Sequence, residues 1–207
     1  MGFCILATKM FPIFLKLEGR RVLVVGAGKV AEGKISGLLH AGASLLVVAP
    51  EATFQIQRWA WEGHITWKSR TFEPSDLDQV SLVVAATSST ETNAQVFKSA
   101  RERNIFCNAV DDPANCDFYY PAVLNRGDLQ IAISTNGRSP ALAQRLRQEL
   151  EQQFGPENES WVAELGQLRE QLNIEILNPE ARKQALHEIA SREAFQKRHS
   201  AGPEDTN

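Results

Sequence analysis

The sequence predicts an α/β protein in which a parallel sheet, covered by helices on both faces, is followed by a hairpin and a small helical domain. Short β-branched runs alternate with helical periods from Arg21 to Val110, which is typical of such a doubly covered sheet. A glycine-rich turn follows the first of these runs directly. Beyond Val110 the pattern changes to two alternating runs around a glycine turn, and then to long helical periods.

The first half of the chain carries the predicted parallel strands, at residues 21–25, 44–49, 64–68, 81–86 and 105–110. Amphipathic stretches near 29–41, 51–62 and 91–103 predict the helices between them, with right-handed crossovers. The connection TFEPSDLDQV is the exception. Its Pro74 and its Ser/Asp pair predict a loop with a short helix.

The second half begins with a predicted hairpin, in which the runs FYYPAVL and LQIAIST flank a turn at 125–128. A helix follows, with Ser139 as its cap and Pro140 at its first position, and it breaks at 155–156. Polar helical sequence continues over 159–199, with one stop at 178–179. A hairpin with helices buries little apolar surface alone. We therefore expect this part to pack on the first domain, on a second copy of itself, or on both.

Composition and charge exclude several classes of protein. Of the 207 residues, 43% are hydrophobic and 23% charged, as in an ordinary globular chain. The net charge of −3 gives no field that would gather a polyphosphate, so we expect no nucleic-acid partner. The longest apolar runs are far shorter than the ~20 residues of a membrane helix, so we expect no membrane span and a cytoplasmic location. The three cysteines lack metal or disulfide spacing, which predicts reduced thiols and no bound metal.

The motif G-x-G-x-x-A, present as GAGKVA, follows the first predicted strand and opens a helix. Gly26 allows the tight turn, Gly28 lets the backbone approach a diphosphate, and Ala31 lets helix and strand pack closely. The helix N-terminus, with Lys29 and Val30, offers amides and a partial positive charge to an anion. The motif in this context predicts a Rossmann-type dinucleotide-binding domain, with a purely structural tight turn as the alternative.

The end of the second predicted strand bears on the choice of cofactor. An acid about 20 residues beyond the glycines would hold the ribose of NAD, but Ala49 occupies its usual place, followed by Pro50 and Glu51. Either Glu51 reaches back or backbone groups bind the ribose. No arginine follows at once to meet the 2′-phosphate of NADP. The sequence therefore favours NAD and leaves NADP open.

Two further residues have competing interpretations. Thr87 follows the fourth predicted strand at the edge where ligands bind, so it is a candidate cofactor contact. It is also a candidate helix cap, a role that Ser88 or Ser89 could share. Lys34 lies one helical turn beyond Val30, where it contacts a phosphate or simply covers a solvated helix face.

Three separated segments resemble a known family. They are FPIFLKLEGRRVLVVGAGKVAEGK, IFCNAVDDP followed by FYYPA, and ISTNGRSPALAQRLRQELE. Together they are similar to the precorrin-2 dehydrogenases of siroheme biosynthesis, which also form the N-terminal part of the siroheme synthases. The resemblance runs from about Phe11 to Phe154. It implies NAD-dependent oxidation of precorrin-2 to sirohydrochlorin by a homodimer. Some members of the family also insert ferrous iron, whereas others only dehydrogenate.

The resemblance also assigns roles to residues. It implies that Asp111 is the catalytic acid or base, although Asp111 or Asp112 could instead cap the DDPAN turn. Precorrin-2 carries eight carboxylates, so its site needs local cations and hydrogen-bond donors. The residues assigned to the substrate on these grounds are Asn108, Arg126, Ser134, Thr135, Gly137, Arg138 and Ser139.

The predicted domain organisation has three parts: a NAD-binding Rossmann domain at 1–112, a dimerisation and substrate-loop region at 113–154, and a helical domain with a tail at 155–207. Two rival functions stay open. One adds iron insertion into sirohydrochlorin at the same site. The other is a nucleotide-sensing module that performs no chemistry, because a fold does not dictate a function.

Overall fold

The computed structural model describes residues 10–200, and their side chains up to residue 196. Contacts divide the chain into two units, the first ending at Tyr120 and the second beginning at Pro121. The three-part division at 112 and 154 stays a prediction. No helix within the described range is both long enough and apolar enough to cross a membrane.

The first unit is built on five parallel strands in the order β3-β2-β1-β4-β5. This arrangement confirms the predicted parallel sheet, and each strand lies within one or two residues of its predicted bounds. The strands are β1 Arg21–Val25, β2 Ser44–Val48, β3 Ile65–Lys68, β4 Leu82–Ala85 and β5 Phe106–Ala109.

Three helices connect these strands: α1 Lys29–His40, α2 Phe54–Trp61 and α3 Thr90–Arg101. The connection at Pro74–Leu77 is a single 3-10 turn, as its proline and polar residues predicted. Helix α2 begins three residues later than expected, because the hydroxyl of Thr53 accepts from the amide of Ile56 and caps the helix there.

The core of this unit lies on both faces of the sheet. Because side chains alternate along a strand, Val22 and Val24 of β1 pack in one cluster and Leu23 and Val25 in another. The first cluster takes in residues of α1 and α2, and the second takes in residues of α3. Because helices cover both faces of the sheet, we expect a ligand to bind at the edge formed by the carboxyl ends of the strands.

The second unit starts with the predicted hairpin, in which β6 Ala122–Arg126 and β7 Leu129–Ile133 pair antiparallel. Ser139 caps α4 by accepting from the amide of Leu142, with Pro140 at the first helical position as expected. The helical sequence is interrupted at 178–179 as predicted, and Asn178 caps a new helix that begins at Pro179. The helices are α4 Pro140–Gln153, α5 Glu157–Glu175, α6 Pro179–Ile189 and α7 Arg192–Ser200.

Candidate active site

The glycine turn after β1 has a backbone that only glycine fits. Gly26 has a φ of +104°, and its amide donates to the carbonyl of Val48 at 2.9 Å. A Cβ added there would fall on the carbonyl oxygen of Ala86 and 2.9 Å from the amide nitrogen of Thr87. The turn after β1 is therefore pressed against the end of β4.

The start of α1 leaves room for an anion. Gly28 is the N-cap, has no side chain to satisfy the helix amides, and a Cβ there would meet nothing within 4 Å. The first helical hydrogen bond runs from the amide of Glu32 to the carbonyl of Gly28, so the amides before it have no acceptor inside the helix. Lys29 and Val30 are exposed, whereas Ala31 is fully buried. Free amides beside open space suit a diphosphate.

A hydrogen-bonded link that sequence reasoning missed holds this turn to the start of α2. The amide of Thr53 donates to the carbonyl of Ala27 at 3.0 Å, and its hydroxyl donates to Glu32 at 2.7 Å. That hydroxyl, and then the ammonium of Lys29, lower the pKa of Glu32. Because Thr53 and Glu32 are far apart in sequence and neither lies in the motif, no local pattern marks the pair.

The end of β2 is fixed by bonds to the end of β3. Trp67 donates from its indole nitrogen to the carbonyl of Ala49 at 3.0 Å, and Ser69 donates to the carbonyl of Pro50 at 2.8 Å. Ala49 is buried and Glu51 is exposed. Backbone and side-chain groups therefore hold the segment that the sequence assigned to the ribose.

One buried carboxylate binds two cations at the end of β3, Lys68 in the strand and Arg70 just after it. Asp76 is 1% exposed and accepts from Arg70 through both of its oxygens, and from Lys68 at 3.1 Å. Burial acts to raise the pKa of Asp76, but bonds from Arg70, the amide of Glu73 and Lys68 outweigh it and lower the pKa to about 2. Sequence reasoning did not single out this cluster.

The loop after β4 is organised by a buried asparagine. Asn93 is 4% exposed, accepts from the amide and the hydroxyl of Thr87, and donates to the carbonyl of Thr87. Ser89, not Thr87, caps α3 by accepting from the amide of Thr92. The interpretation of Thr87 as the helix cap is therefore wrong, because Ser89 has that role. The other interpretation, a contact with the cofactor, stays a prediction.

The predicted catalytic carboxylate lies just beyond β5. Asp111 is exposed and has a φ of +61°, a left-handed conformation uncommon outside glycine. The contacts of the following turn belong to its neighbour, because Asp112 accepts from the side chain of Asn115 at 2.6 Å and its carbonyl accepts from the Asn115 amide. Asp111 is thus an exposed residue at the edge of the sheet, two residues beyond the end of β5.

Asn108, which was predicted to bind substrate, is buried, and its side-chain amide makes hydrogen bonds within the protein. Its Nδ2 donates to the carbonyl of Phe118 at 2.8 Å and contacts the sulfur of Cys116 at 3.3 Å. Asn108 also pairs with Cys116 in an isolated antiparallel bridge. These bonds fold the segment after Asp111 back along β5.

The described thiols are free. Burial raises the pKa of Cys107 to about 12, and burial also raises that of Cys116. Cys4 lies outside the described residues. Within those residues, no three His, Cys, Asp or Glu side chains gather as a metal site requires.

Lys34 of α1 turns towards the end of β5. Its ammonium nitrogen lies 3.5 Å from the centroid of the Tyr120 ring. Burial lowers the pKa of Lys34, and the nearby charge of Asp111 works in the opposite direction. Lys34 is therefore more than a solvated residue of the helix face, and its contact with a phosphate stays a prediction.

In the second unit, the loop predicted to bind substrate is held by hydrogen bonds between its own backbone amides and its own side-chain hydroxyls. Thr135 accepts from the amide of Ser139, and Ser134 accepts from the amide of Asn136. Asn136 and Gly137 both have positive φ, at 55° and 75°, which asparagine and glycine tolerate best. Each of these hydroxyl groups accepts one backbone hydrogen bond and keeps one O–H donor.

The two arginines assigned to substrate differ. Arg126 donates to the carbonyl of Phe154 at the end of α4 and to the carbonyl of Asn125. Its guanidinium thus closes a helix C-terminus, a role that the sequence did not reveal. Arg138 is exposed. A substrate role for either arginine stays a prediction.

The parallel sheet, the glycine turn and the open helix N-terminus define the first unit as a Rossmann-type dinucleotide-binding domain. A family profile described as putative NAD(P)-binding matches residues 13–122, and one described as sirohaem biosynthesis protein central matches residues 126–153. The chain is 42% identical over 181 residues to a siroheme synthase of Xylella fastidiosa (strain M12), covering 86% of this chain and 37% of that protein.

A siroheme synthase 3 of Aeromonas hydrophila subsp. hydrophila is 44% identical over 161 residues, which cover 78% of this chain and 34% of that protein. The chain thus spans about a third of the length of these relatives. Among solved structures, SirC, precorrin-2 dehydrogenase, superposes with a TM-score of 0.79 at 30% identity, covering 93% of this chain and 94% of that one. The chain belongs to the precorrin-2 dehydrogenase family, which confirms the resemblance in its sequence.

Proposed function

We propose that this chain is an NAD-dependent dehydrogenase that oxidises precorrin-2 to sirohydrochlorin in siroheme biosynthesis. The observation that carries the proposal is the common edge of β1, β4 and β5. There the glycine turn, with free amides behind Gly28, abuts Thr87, and Asp111 follows the neighbouring strand. The family membership and the SirC match support the same activity.

The reaction removes a hydride and a proton from the macrocycle. NAD, when bound, supplies the acceptor of the hydride. Gly28 and the first amides of α1 hold the diphosphate, and the Thr87 loop, fixed by Asn93, borders the same crevice. The Asp111 carboxylate accepts the proton that the macrocycle loses with the hydride, because the described residues give this carboxylate no hydrogen bond that would occupy it.

NAD is the proposed form of the cofactor, in preference to NADP. The cations at the end of β3, Lys68 and Arg70, both form salt bridges with Asp76, so neither is free for a 2′-phosphate. Arg58 in α2 is paired with Glu62 at 2.7 Å. The exposed Glu51 adds a negative charge beside the segment assigned to the ribose.

The second unit is proposed to bind the substrate and a second copy of the chain. The hydroxyls of Ser134, Thr135 and Ser139, with the exposed Arg138, are suitable donors for carboxylates. The homodimer is supported by exposed apolar side chains on α4, Leu142 and Leu146. A reducing cytoplasmic compartment is part of the proposal, since the described cysteines are free thiols.

The test is an anaerobic assay of precorrin-2 with NAD and NADP in parallel, read by the absorbance of the reduced nucleotide. We expect reduction of NAD and at least tenfold slower reduction of NADP. Gly28→Val should abolish the reaction without unfolding the chain, because the site beside Gly28 is open and the added side chain would fill the space assigned to the diphosphate. Gly33→Ala, an exposed position on the same helix, is the matched control. Binding of NAD without any reduction would instead favour a nucleotide-sensing module.

A further inference from the structure

Lys34 lies against an aromatic face, and no carboxylate among the described residues is close enough to form a salt bridge with it. It is the sixth residue of α1, and its ammonium lies 3.5 Å from the centre of the Tyr120 ring. Tyr120 is 39% exposed, and desolvation of its hydroxyl raises the pKa of the phenol to about 12. A cation over an aromatic face is attracted to the ring but donates no conventional hydrogen bond to it.

The Lys34 ammonium has N–H donors that form no hydrogen bond with the described groups. Among the described groups, no acceptor lies within hydrogen-bonding distance of Lys34. Lys34 is half-buried, and this burial lowers its pKa. An ammonium carries three donors, and a dehydrated cation with unused donors binds an anion more strongly than a solvated one does.

The position of Lys34 favours the substrate over the nucleotide as the source of that anion. Six residues separate Lys34 from the N-cap at Gly28, which is about 9 Å along a helix axis. Its two neighbours, Tyr120 and Asp111, both follow β5 and do not belong to the glycine turn. Lys34 therefore lies on the side of the edge where the macrocycle would meet Asp111.

We propose that Lys34 binds a carboxylate of the tetrapyrrole and so places the macrocycle against Asp111, with the Tyr120 ring fixing the lysine. This inference rests on the proposed function and deepens it. The sequence left Lys34 undecided between a phosphate contact and a solvated face, and Tyr120, which is 86 positions away, was not singled out. An acidic macrocycle needs such a cation because the Asp111 carboxylate next to it repels its carboxylates.

The experiment measures the dissociation constants of sirohydrochlorin and of NAD separately, in binding assays that need no turnover. The variants are Lys34→Met, Lys34→Arg and, as the matched control, Lys98→Met, which removes one positive charge from an exposed position on α3. We expect Lys34→Met to weaken sirohydrochlorin binding by roughly ten- to a hundredfold, the loss expected for one charged hydrogen bond. Lys34→Arg should stay within about threefold of the parent, and binding of NAD should be unchanged in all three.

Tyr120 provides a second test of the same arrangement. Tyr120→Phe keeps the ring under the ammonium and should leave sirohydrochlorin binding within about twofold, whereas Tyr120→Leu should weaken it by about three- to tenfold. Weaker NAD binding in Lys34→Met would assign the lysine to the diphosphate and overturn the inference, as would a Lys34→Met variant that behaves like Lys98→Met. A parent protein that binds sirohydrochlorin but does not reduce NAD with precorrin-2 would refute the proposed function and leave the carboxylate site standing.

Discussion

The two units of this chain differ in how completely they bury their apolar side chains. In the first unit, clusters on both faces of the sheet bury all of β4 and every residue but the first of β1, β2 and β5. In the second unit, Leu142 and Leu146 of α4 are 48% and 36% exposed. The buried apolar side chains described there are Ala122, Leu124 and Ala143.

This difference in burial indicates what stabilises each unit. A sheet closed on both faces is stabilised by its own chain, and its backbone turns can be held firmly enough to orient a cofactor. A hairpin with helices that leaves leucines exposed needs another surface to complete it. We therefore expect substitutions in the first unit to change folding and chemistry, and substitutions on α4 to change association.

The largest effect should come from the glycine turn. Gly26→Ala puts a Cβ on the Ala86 carbonyl at a positive φ, and we expect a loss of about 3–4 kcal/mol in the free energy of unfolding. Gly37→Ala, at an open position in α1, should instead raise stability by up to about 1 kcal/mol. Denaturant unfolding of both variants measures the contrast. Equal effects would show that the turn is not held as firmly as described.

The next effect concerns chemistry alone. Asp111→Asn keeps a residue that tolerates positive φ and removes the proposed base, so turnover should fall at least a hundredfold with NAD affinity unchanged. Asp112→Asn, which alters only the neighbouring turn contact, should keep turnover within about threefold. Steady-state rates and NAD titrations separate the two. A parent-like rate in Asp111→Asn would remove this carboxylate from the mechanism.

A smaller, pH-dependent effect is expected from Asp76. Its folded pKa of about 2 lies below its ordinary value of 3.8, so its contribution is present above that value and is lost as the pH falls from about 4 to 2. The shift corresponds to about 2 kcal/mol. Unfolding curves across this range should show the loss in the parent and not in Asp76→Asn. Asp78→Asn, at an exposed neighbour, should keep the parent's pH dependence.

The smallest effect should appear in the second unit. Changing Leu142 and Leu146 together to Gln should raise the dimer dissociation constant at least tenfold and change the unfolding free energy by less than about 1 kcal/mol. Gln148→Ala, an exposed position about half a turn away on α4, is the control. Analytical ultracentrifugation reads the association. A parent that sediments as a monomer would contradict the homodimer and show that the exposed leucines have another role.

Local patterns were enough to predict most of the fold. The β-branched run at Arg21–Val25 matches its strand residue for residue, and Ser139 with Pro140 marks the start of α4. The start of α2 was misplaced because Thr53 was not recognised as its cap. Caps and turns involve few residues close in sequence, so they are predictable when the right residue is chosen.

The candidate site was predictable only where a motif is contiguous. The glycine turn could be found from spacing alone, because backbone sterics demand glycine there. The pairing of Lys34 with Tyr120 and the bond from Thr53 to Glu32 depend on which strands become neighbours, and no periodicity encodes such contacts. The bond from Arg126 to the end of α4 escaped prediction for the same reason.

The bond from Trp67 to Ala49 gives this protein an optical reporter of its own. The indole donates to the carbonyl of Ala49, in the segment proposed to bind the ribose, so a nucleotide bound there would change the surroundings of this ring. Indole emission overlaps the absorption of reduced nicotinamide, so bound NADH should quench the ring by energy transfer. Replacing Trp67 with Phe should dim that response and leave the signals of the other tryptophans in place, which would let occupancy be followed without any attached dye.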